Sequence, residues 1–170
     1  MRIAAESEED WWEVEALFDL AFAPGREALS SYRLRDGIEP VAELCLTARD
    51  ELGILAGAIR YWPVKVQAAS VLLLGPIAVH PTRQGEGLGA LLIEDSLARA
   101  TGWDRAMLVG DAPYYGRFGF KRLEGVVMPP PTNPNRVLGR ALVTGAWEGL
   151  SGTVHAWTST TSSPTDVNAN

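Results

Sequence analysis

The pattern of hydrophobic residues in the first part of the chain predicts one short strand followed by two helices. Residues 2–5 predict a strand, and Ser7 with Asp10 resembles a capping box that opens a helix. Apolar residues then recur at helical spacing, at Val14, Leu17, Phe18, Ala21 and Phe22. The pair Pro24-Gly25 should end this helix, and residues 26–35 predict a second helix before the turn signal Asp36-Gly37.

Three aliphatic segments follow, and their spacing predicts an antiparallel meander. They are residues 41–49, 54–65 and 70–79, separated by turns at residues 50–53 and 66–69. Pro63 and Pro76 lie inside two of these segments. Because proline cannot donate to a strand ladder, each should mark an edge, a bend or a bulge.

The hydrophobic period then changes, and the second half predicts a crossover. Residues 87–101 predict a helix that ends at Gly102, with one face formed by Gly89, Ala90, Ile93, Leu97 and Ala100. Residues 105–109 predict a strand, 113–117 a helical turn, and 118–120 lead into another extended segment. Residues 128–134, which contain four prolines, should form a loop before closing strands at 137–143 and 152–157. A strand, helix and strand in this order imply a mixed sheet.

Composition and charge narrow the class of protein. The chain has 170 residues, enough for one domain with a core, and we predict an α/β single domain with an α+β layout over residues 1–158. Residues 159–170 are polar and predict a flexible tail.

A net charge of −6 opposes binding to nucleic acid. No apolar run approaches the length of a membrane span, and the acidic N-terminus is unlike a signal peptide, so we expect a cytoplasmic protein without membrane partners. The single cysteine, Cys45, is interpreted as a small core residue.

A glycine-rich segment carries the clearest chemical signal. A strand leads through Arg83 into Gln84, Gly85, Glu86, Gly87, Leu88 and Gly89, and a helix follows directly. The free amides and the dipole at a helix N-terminus favour anions, and glycines allow a phosphate to approach the backbone. Arg83 can add a charged contact. The alternative is that Gly85 and Gly87 only provide a flexible turn.

The same residues also satisfy a dinucleotide-binding pattern, with Asp111 near the end of the next strand. Two observations argue against a Rossmann domain. Residues 80–84 separate the strand from the first glycine, and too little regular chain follows residue 85 to form a second mononucleotide half.

Two motifs together resemble the GNAT superfamily of N-acetyltransferases. The first is Ile77-Ala78-Val79 followed by the glycine segment, and the second is Tyr115 with the Gly119-Phe120 pair after it. Residues 110–115 and 145–154 are similar to the YhbS-like subgroup, and the resemblance spans roughly residues 2–157. It implies a mixed, mostly antiparallel central sheet flanked by helices, and acetyl-CoA as cosubstrate.

The resemblance also implies roles for individual residues. Tyr115 would protonate the departing thiolate as a general acid. The backbone of Ile77, Ala78 and Val79 would pair with the pantetheine arm. The residues that would hold the pyrophosphate are Arg83, Gln84, Gly85, Glu86, Gly87, Leu88, Gly89 and Ala90. The acetyl group would pass directly to an amine of a small molecule or a protein in a ternary complex.

Several questions stay open from the sequence. The general base could be Asp111, Glu43, His80 or water, although a helix cap, a solvent-facing strand position and a turn are the competing roles for these three residues. Without a base, the chain could be a CoA-binding or partner-binding module with weak or no turnover. Trp62 is expected near the acceptor cleft. The two histidines have no ligands at metal spacing, so no metal is expected, and the protein could be a monomer or a homodimer.

Overall fold

The computed structural model describes residues 1–22 and 30–157. The expected helix end at Pro24-Gly25, the first residues of the predicted second helix and the predicted tail at residues 159–170 lie outside this part of the chain. Within the described residues, the predicted strands and helices are present with small shifts of their ends, except at residues 41–45.

The described helices are short, and the two longest of them flank the sheet. The capping box is present: the Ser7 backbone N–H donates to the Asp10 carboxylate at 2.8 Å, directly before the first long helix. The described helices are α1 (Trp11–Phe22), α2 (Ser30–Arg33), α3 (Leu88–Ala98) and α4 (Ala112–Tyr115).

In the part of the chain that the structure describes, nine strands form the sheet, and most neighbours run antiparallel. The strands are β1 (Arg2–Ala5), β2 (Leu46–Arg49), β3 (Leu55–Val66), β4 (Ala69–Val79), β5 (Arg105–Val109), β6 (Lys121–Arg122), β7 (Val126–Val127), β8 (Val137–Ala141) and β9 (Gly152–Ala156). Their order is β1-β2-β3-β4-β5-β8-β6, and β9 pairs with both β3 and β7. Only the β4–β5 and β7–β9 pairs are parallel among the described strands. The predicted mixed, mostly antiparallel fold is therefore confirmed, and the Rossmann alternative is wrong.

The prediction of one strand over residues 41–49 is wrong in its first half. Residues Ala42–Leu44 form a 3₁₀ turn, and β2 begins only at Leu46. Val41 and Leu44, three residues apart, are both buried, which one turn of 3₁₀ helix allows and an alternating strand does not. Glu43 thus lies exposed on a turn rather than on a strand. The extended segment expected after Phe120 is the two-residue strand β6, and the two-residue strand β7 was missed because it is too short to show a period.

The proline predictions are confirmed. Ile59 pairs with Ile77, but Tyr61 pairs with Leu74, so the register shifts and Gly75-Pro76 forms a bulge in β4. Pro63 lies on β3 between the part that pairs with β2 and the part that pairs with β9. On that side β3 is a local edge, where a missing N–H costs no ladder bond.

Alternate residues of β3 face the two flanking helices. Ile59 belongs to the core cluster that contains Leu92 and Ile93 of α3, whereas Ala58 packs with Val14 of α1. The predicted buried face of α3 is only partly right, because the buried residues are Leu88, Leu92, Ile93 and Ser96. The buried Ser96 is explained by a 2.8 Å hydrogen bond between its hydroxyl and that of Tyr61.

Cys45 is a core residue, as predicted. Its side chain is buried, and its thiol donates to the backbone carbonyl of Val41 at 3.3 Å. Burial raises the pKa of the Cys45 thiol to about 11. The group therefore stays protonated near neutral pH and has no reactive thiolate.

Candidate active site

The site lies where two parallel strands separate. β4 and β5 pair only at Leu72 with Ala106 and at Leu73 with Met107. Beyond Leu73 the two strands no longer pair, so the edge of β4 that faces β5 has no strand partner among the described residues as far as Val79. An unpaired strand edge can accept another extended chain through backbone hydrogen bonds.

One cavity opens between this edge and the start of α3, and we call it the α3 cavity. Its volume is about 560 Å³. All the predicted cofactor-binding residues line it except Arg83 and Glu86, namely Ile77, Ala78, Val79, Gln84, Gly85, Gly87, Leu88, Gly89 and Ala90. Its opposite wall is formed by Tyr114, Tyr115 and Arg117. The structure thus brings the glycine segment and Tyr115 to the same cavity.

The backbone at the start of α3 is arranged to receive an anion. Gly85 and Gly87 have φ values of +89° and +81°, and a Cβ added to either would meet no atom within 4 Å. Among the described residues, the first amides of α3, at Leu88, Gly89 and Ala90, have no hydrogen-bond acceptor. These N–H groups and the helix dipole attract negative charge at this point. The open space above the glycines leaves room for a phosphate.

Arg83 is placed differently from what the sequence suggests. Its guanidinium pairs with Asp50 at 3.2 Å and with Glu86 at 3.0 Å. The Asp50 carboxylate also accepts from the backbone of Ile54 at 2.9 Å, which ties this pair to the turn after β2. Arg83 and Glu86 therefore connect the glycine segment to the neighbouring turn and do not line the cavity.

Tyr115 ends α4, and its ring is packed on several sides. The ring centroid lies 4.9 Å from that of Tyr114, in an edge-to-face contact, and 6.3 Å from that of Phe120. Burial, followed by the neighbouring Tyr114 phenol, raises the pKa of Tyr115 above its ordinary value, and Arg136 opposes this shift. Within residues 1–22 and 30–157 the Tyr115 hydroxyl has no hydrogen-bond partner. It is a protonated phenol whose hydroxyl is available to a ligand.

Gly110 is a site residue whose role was missed from the sequence. A Cβ at this position would lie 2.5 Å from Cε2 of Tyr115 and 2.9 Å from its Cδ2. The Tyr115 ring can therefore lie where it does only because residue 110 has no side chain. The signal was present, since Gly110 directly follows β5, but the contact depends on how α4 turns back.

A second cavity, which we call the β5 cavity, lies on the other side of Tyr115. Its volume is about 380 Å³, and Ile77, Tyr114 and Tyr115 line both cavities. Its remaining walls are largely apolar, and its charged residues among those described are Asp111 and Arg136. A molecule in either cavity would thus contact the same tyrosine.

Only one of the three candidate bases lies at a cavity. Asp111 lines the β5 cavity at the N-cap of α4, but its carboxylate does not cap the helix and instead pairs with Arg136. His80 is a turn residue whose Nδ1 accepts from the Thr82 backbone at 3.2 Å, and Glu43 lies on the exposed 3₁₀ turn. Neither His80 nor Glu43 lines either of the two cavities.

Trp62 lies beneath the β5 cavity rather than in its wall. It is buried and pairs across the sheet with Leu73, which does line the cavity. The Arg35 guanidinium stacks on the Trp62 ring at 4.9 Å. The Trp62 indole N–H has no hydrogen-bond partner among residues 1–22 and 30–157.

Similarity to known proteins agrees with this geometry. A family model of the acetyltransferase (GNAT) domain matches residues 42–122. The structure is similar to the GNAT family N-acetyltransferase YhbS from Escherichia coli in complex with CoA, with a TM-score of 0.78 and 27% identity over 92% of this chain and 89% of that one. It is also similar to a GNAT family acetyltransferase from Brucella melitensis in complex with acetyl-CoA, with a TM-score of 0.68 and 30% identity over 92% of this chain and 95% of that one.

The chain therefore belongs to the GNAT family, and the prediction of an acyltransferase is confirmed. Naa20 from Chaetomium thermophilum, in complex with a bisubstrate analogue, shares the fold alone, with a TM-score of 0.56 and 13% identity over 90% of this chain and 97% of that one. No curated protein matches the sequence significantly.

Two further features of the described residues bear on partners. No helix in residues 1–22 and 30–157 has the length and apolar character needed to cross a bilayer. In the same part of the chain, no three His, Cys, Asp or Glu side chains come together as a metal site. The expectation that no metal takes part stays a prediction.

Proposed function

We propose that this protein is an acetyl-CoA-dependent N-acetyltransferase that transfers the acetyl group directly to an amine in a ternary complex. The observation that carries the proposal is that two cavities, one on each side of the β4–β5 separation, meet at Tyr115. The α3 cavity would hold the cosubstrate, and the β5 cavity would admit the amine of a small molecule or of a protein. The likeness to YhbS supports a place in the YhbS-like subgroup.

Cosubstrate binding would use groups that the described residues leave free. The amides at Leu88, Gly89 and Ala90 would hold the pyrophosphate, helped by the open space at Gly85 and Gly87. The unpaired edge of β4 at Ile77–Val79 would bind the pantetheine arm as an added strand. The complexes of the two similar enzymes with CoA and acetyl-CoA support this assignment.

Tyr115 would act as the general acid. Its raised pKa keeps the phenol protonated at neutral pH, and its hydroxyl has no competing partner among the described residues. A proton donated to the thiolate would then make coenzyme A a better leaving group. The attacking amine would give its proton to water or to Asp111, whose Oδ1 pairs with Arg136.

Cosubstrate binding is tested by placing a negative charge at the start of α3. Gly89 lines the α3 cavity within the helix, and its added Cβ would come no closer than 3.5 Å to its nearest neighbour, the Tyr114 hydroxyl. We expect Gly89→Glu to fold normally and to lose acetyl-CoA binding in calorimetry, because the carboxylate repels the pyrophosphate. Gly89 is a better test than Gly87, whose φ of +81° would strain any side chain.

The matched control is Leu91→Glu, which adds the same charge on the exposed side of the same helix. It should bind acetyl-CoA as the unmodified protein does. Equal loss in both variants would mean that the effect is one of general charge, and unchanged affinity in Gly89→Glu would refute the pyrophosphate assignment.

Turnover is tested by coenzyme A release across a panel of amines. Release that depends on an amine and on Tyr115 supports the transferase. Tight binding of acetyl-CoA without release, for every amine and without hydrolysis, would instead support the alternative of a CoA-binding module without turnover.

A further inference from the structure

Arg117 is the only charged residue among the described residues that line the α3 cavity. It lies on the 3₁₀ turn Gly116–Phe118, across the cavity from the start of α3. Its side chain is exposed, so the guanidinium can be reached from solvent. A cation in this position faces the same space as the free amides of the glycine segment.

The guanidinium is held in place without being neutralised. Its Nε donates to the backbone carbonyl of Tyr114 at 3.1 Å, and its Cζ lies 4.6 Å from the centre of the Tyr114 ring. Within residues 1–22 and 30–157, its two terminal nitrogens have neither a carboxylate nor another acceptor. A positioned guanidinium with free N–H groups is well suited to a phosphate, because its fork matches two phosphate oxygens.

The contrast with Arg83 strengthens this assignment. Arg83 lies closer in sequence to the glycine segment, but its charge is paired with Asp50 and Glu86. Its charge is therefore largely cancelled at short range. On a protein with a net charge of −6, an anionic cosubstrate needs a local cation to offset the general repulsion.

We propose that Arg117, rather than Arg83, supplies the side-chain charge that binds a phosphate of the cosubstrate. The inference rests on the proposed binding of acetyl-CoA in the α3 cavity. The phosphate is either the pyrophosphate or the 3′-phosphate on the ribose, which share the chemistry that Arg117 recognises.

Calorimetry with three ligands and the Arg117→Ala variant tests the proposal. Coenzyme A carries both kinds of phosphate, dephospho-coenzyme A lacks the 3′-phosphate, and pantetheine lacks both. We expect about a 10-fold loss of affinity for coenzyme A, since a hydrogen bond to a charged group is worth roughly this much. The loss should shrink as salt is added. Pantetheine binding should be unaffected.

The ligand series then identifies the phosphate. A loss for coenzyme A alone assigns Arg117 to the 3′-phosphate, and an equal loss for dephospho-coenzyme A assigns it to the pyrophosphate. Arg117→Lys should recover part of the affinity, because it keeps the charge but loses the planar fork.

Two results would overturn the inference. One is unchanged affinity of Arg117→Ala for coenzyme A. The other is an equal loss for all three ligands, which would mean that Arg117 acts only by supporting the Tyr114 ring. Arg122→Ala, which removes an exposed arginine that does not line the α3 cavity, is the charge control and should bind normally. If the unmodified protein binds none of the ligands, the proposed function itself fails, and this outcome is distinct from both.

Discussion

Replacing Gly110 by alanine should displace Tyr115 without disturbing the rest of the site. The added Cβ would lie 2.5 Å from Cε2 and 2.9 Å from Cδ2 of Tyr115, and 3.0 Å from a methyl carbon of Leu108. Since carbon atoms in contact prefer about 3.5–4.0 Å, the ring must retreat by about 1 Å. The backbone of Gly110 is not in the left-handed region, so the conflict is with the ring rather than with the main chain.

The Gly110→Ala substitution is expected to lower kcat. A displacement of about 1 Å in a catalytic group can cost on the order of 10² in rate. We therefore expect kcat of Gly110→Ala to fall about 100-fold in a coenzyme A release assay with the best amine of a panel. Acetyl-CoA affinity should change little, because Gly110 does not line the α3 cavity. Overpacking should also lower the stability by about 1–3 kcal/mol, which thermal unfolding measures.

Gly116→Ala is the matched control, because it adds the same methyl group one residue after Tyr115. Gly116 has a φ of −58°, and a Cβ there would meet no atom within 4 Å. Its kcat should be that of the unmodified enzyme.

A double variant separates the role of Gly110 from a general loss of packing. If Gly110 acts only through the position of the Tyr115 hydroxyl, Gly110→Ala should cost almost nothing further in kcat when Tyr115 is already phenylalanine. Wild-type turnover in folded Gly110→Ala would refute the reasoning, and so would fully additive losses in the double variant.

Four further predictions concern three side chains. Tyr115→Phe should lower kcat by about 10²- to 10⁴-fold with little change in acetyl-CoA affinity, and the loss should shrink for acetyl donors with a better-leaving thiol. Because the pKa of Tyr115 is raised, its ionisation should cause no loss of turnover below about pH 10 in a pH–rate profile. Arg83→Ala should lower the melting temperature slightly and weaken acetyl-CoA binding modestly and in a salt-dependent way, since its partners Asp50 and Glu86 are left unpaired. Cys45 should resist alkylation at pH 8 in the native protein and react fully after denaturation, as followed by mass spectrometry, and rapid native modification would contradict its burial.

Much of the fold was predictable because its signals are local. The period change between β4 and α3 and the glycines between them are features of consecutive residues, and the structure has both. The prediction failed at residues 41–45, where buried Val41 and Leu44 belong to a turn. An aliphatic segment with no clear period does not distinguish a strand from a turn that buries the same residues.

The charges of the site were harder to predict, because the partners of a charged side chain can lie far away in the chain. Arg83 appeared available because only its neighbours were visible, whereas the partner that holds it, Asp50, lies 33 residues earlier in the chain. Arg117 belongs to the second motif, but nothing in the sequence tells that α4 and its following turn face the start of α3. Local motifs therefore predicted the amides that would bind the cosubstrate, whereas the choice between Arg83 and Arg117 as the accompanying cation depends on long-range contacts.

One irregularity in β4 accounts for the form of the whole site. The bulge at Gly75-Pro76 follows two residues after Leu73, where the pairing of β4 with β5 ends. A bulge bends its strand and interrupts the ladder, so β4 leaves β5 at this point. Gly75 and Pro76 then line the β5 cavity, and Ile77 lines both cavities. The separation that would free the edge of β4 for the proposed cosubstrate is thus the same one that would open a path for the proposed acceptor. Because only two residues separate the end of β5 from the start of α4, the position left between the two cavities is the one that Tyr115 occupies.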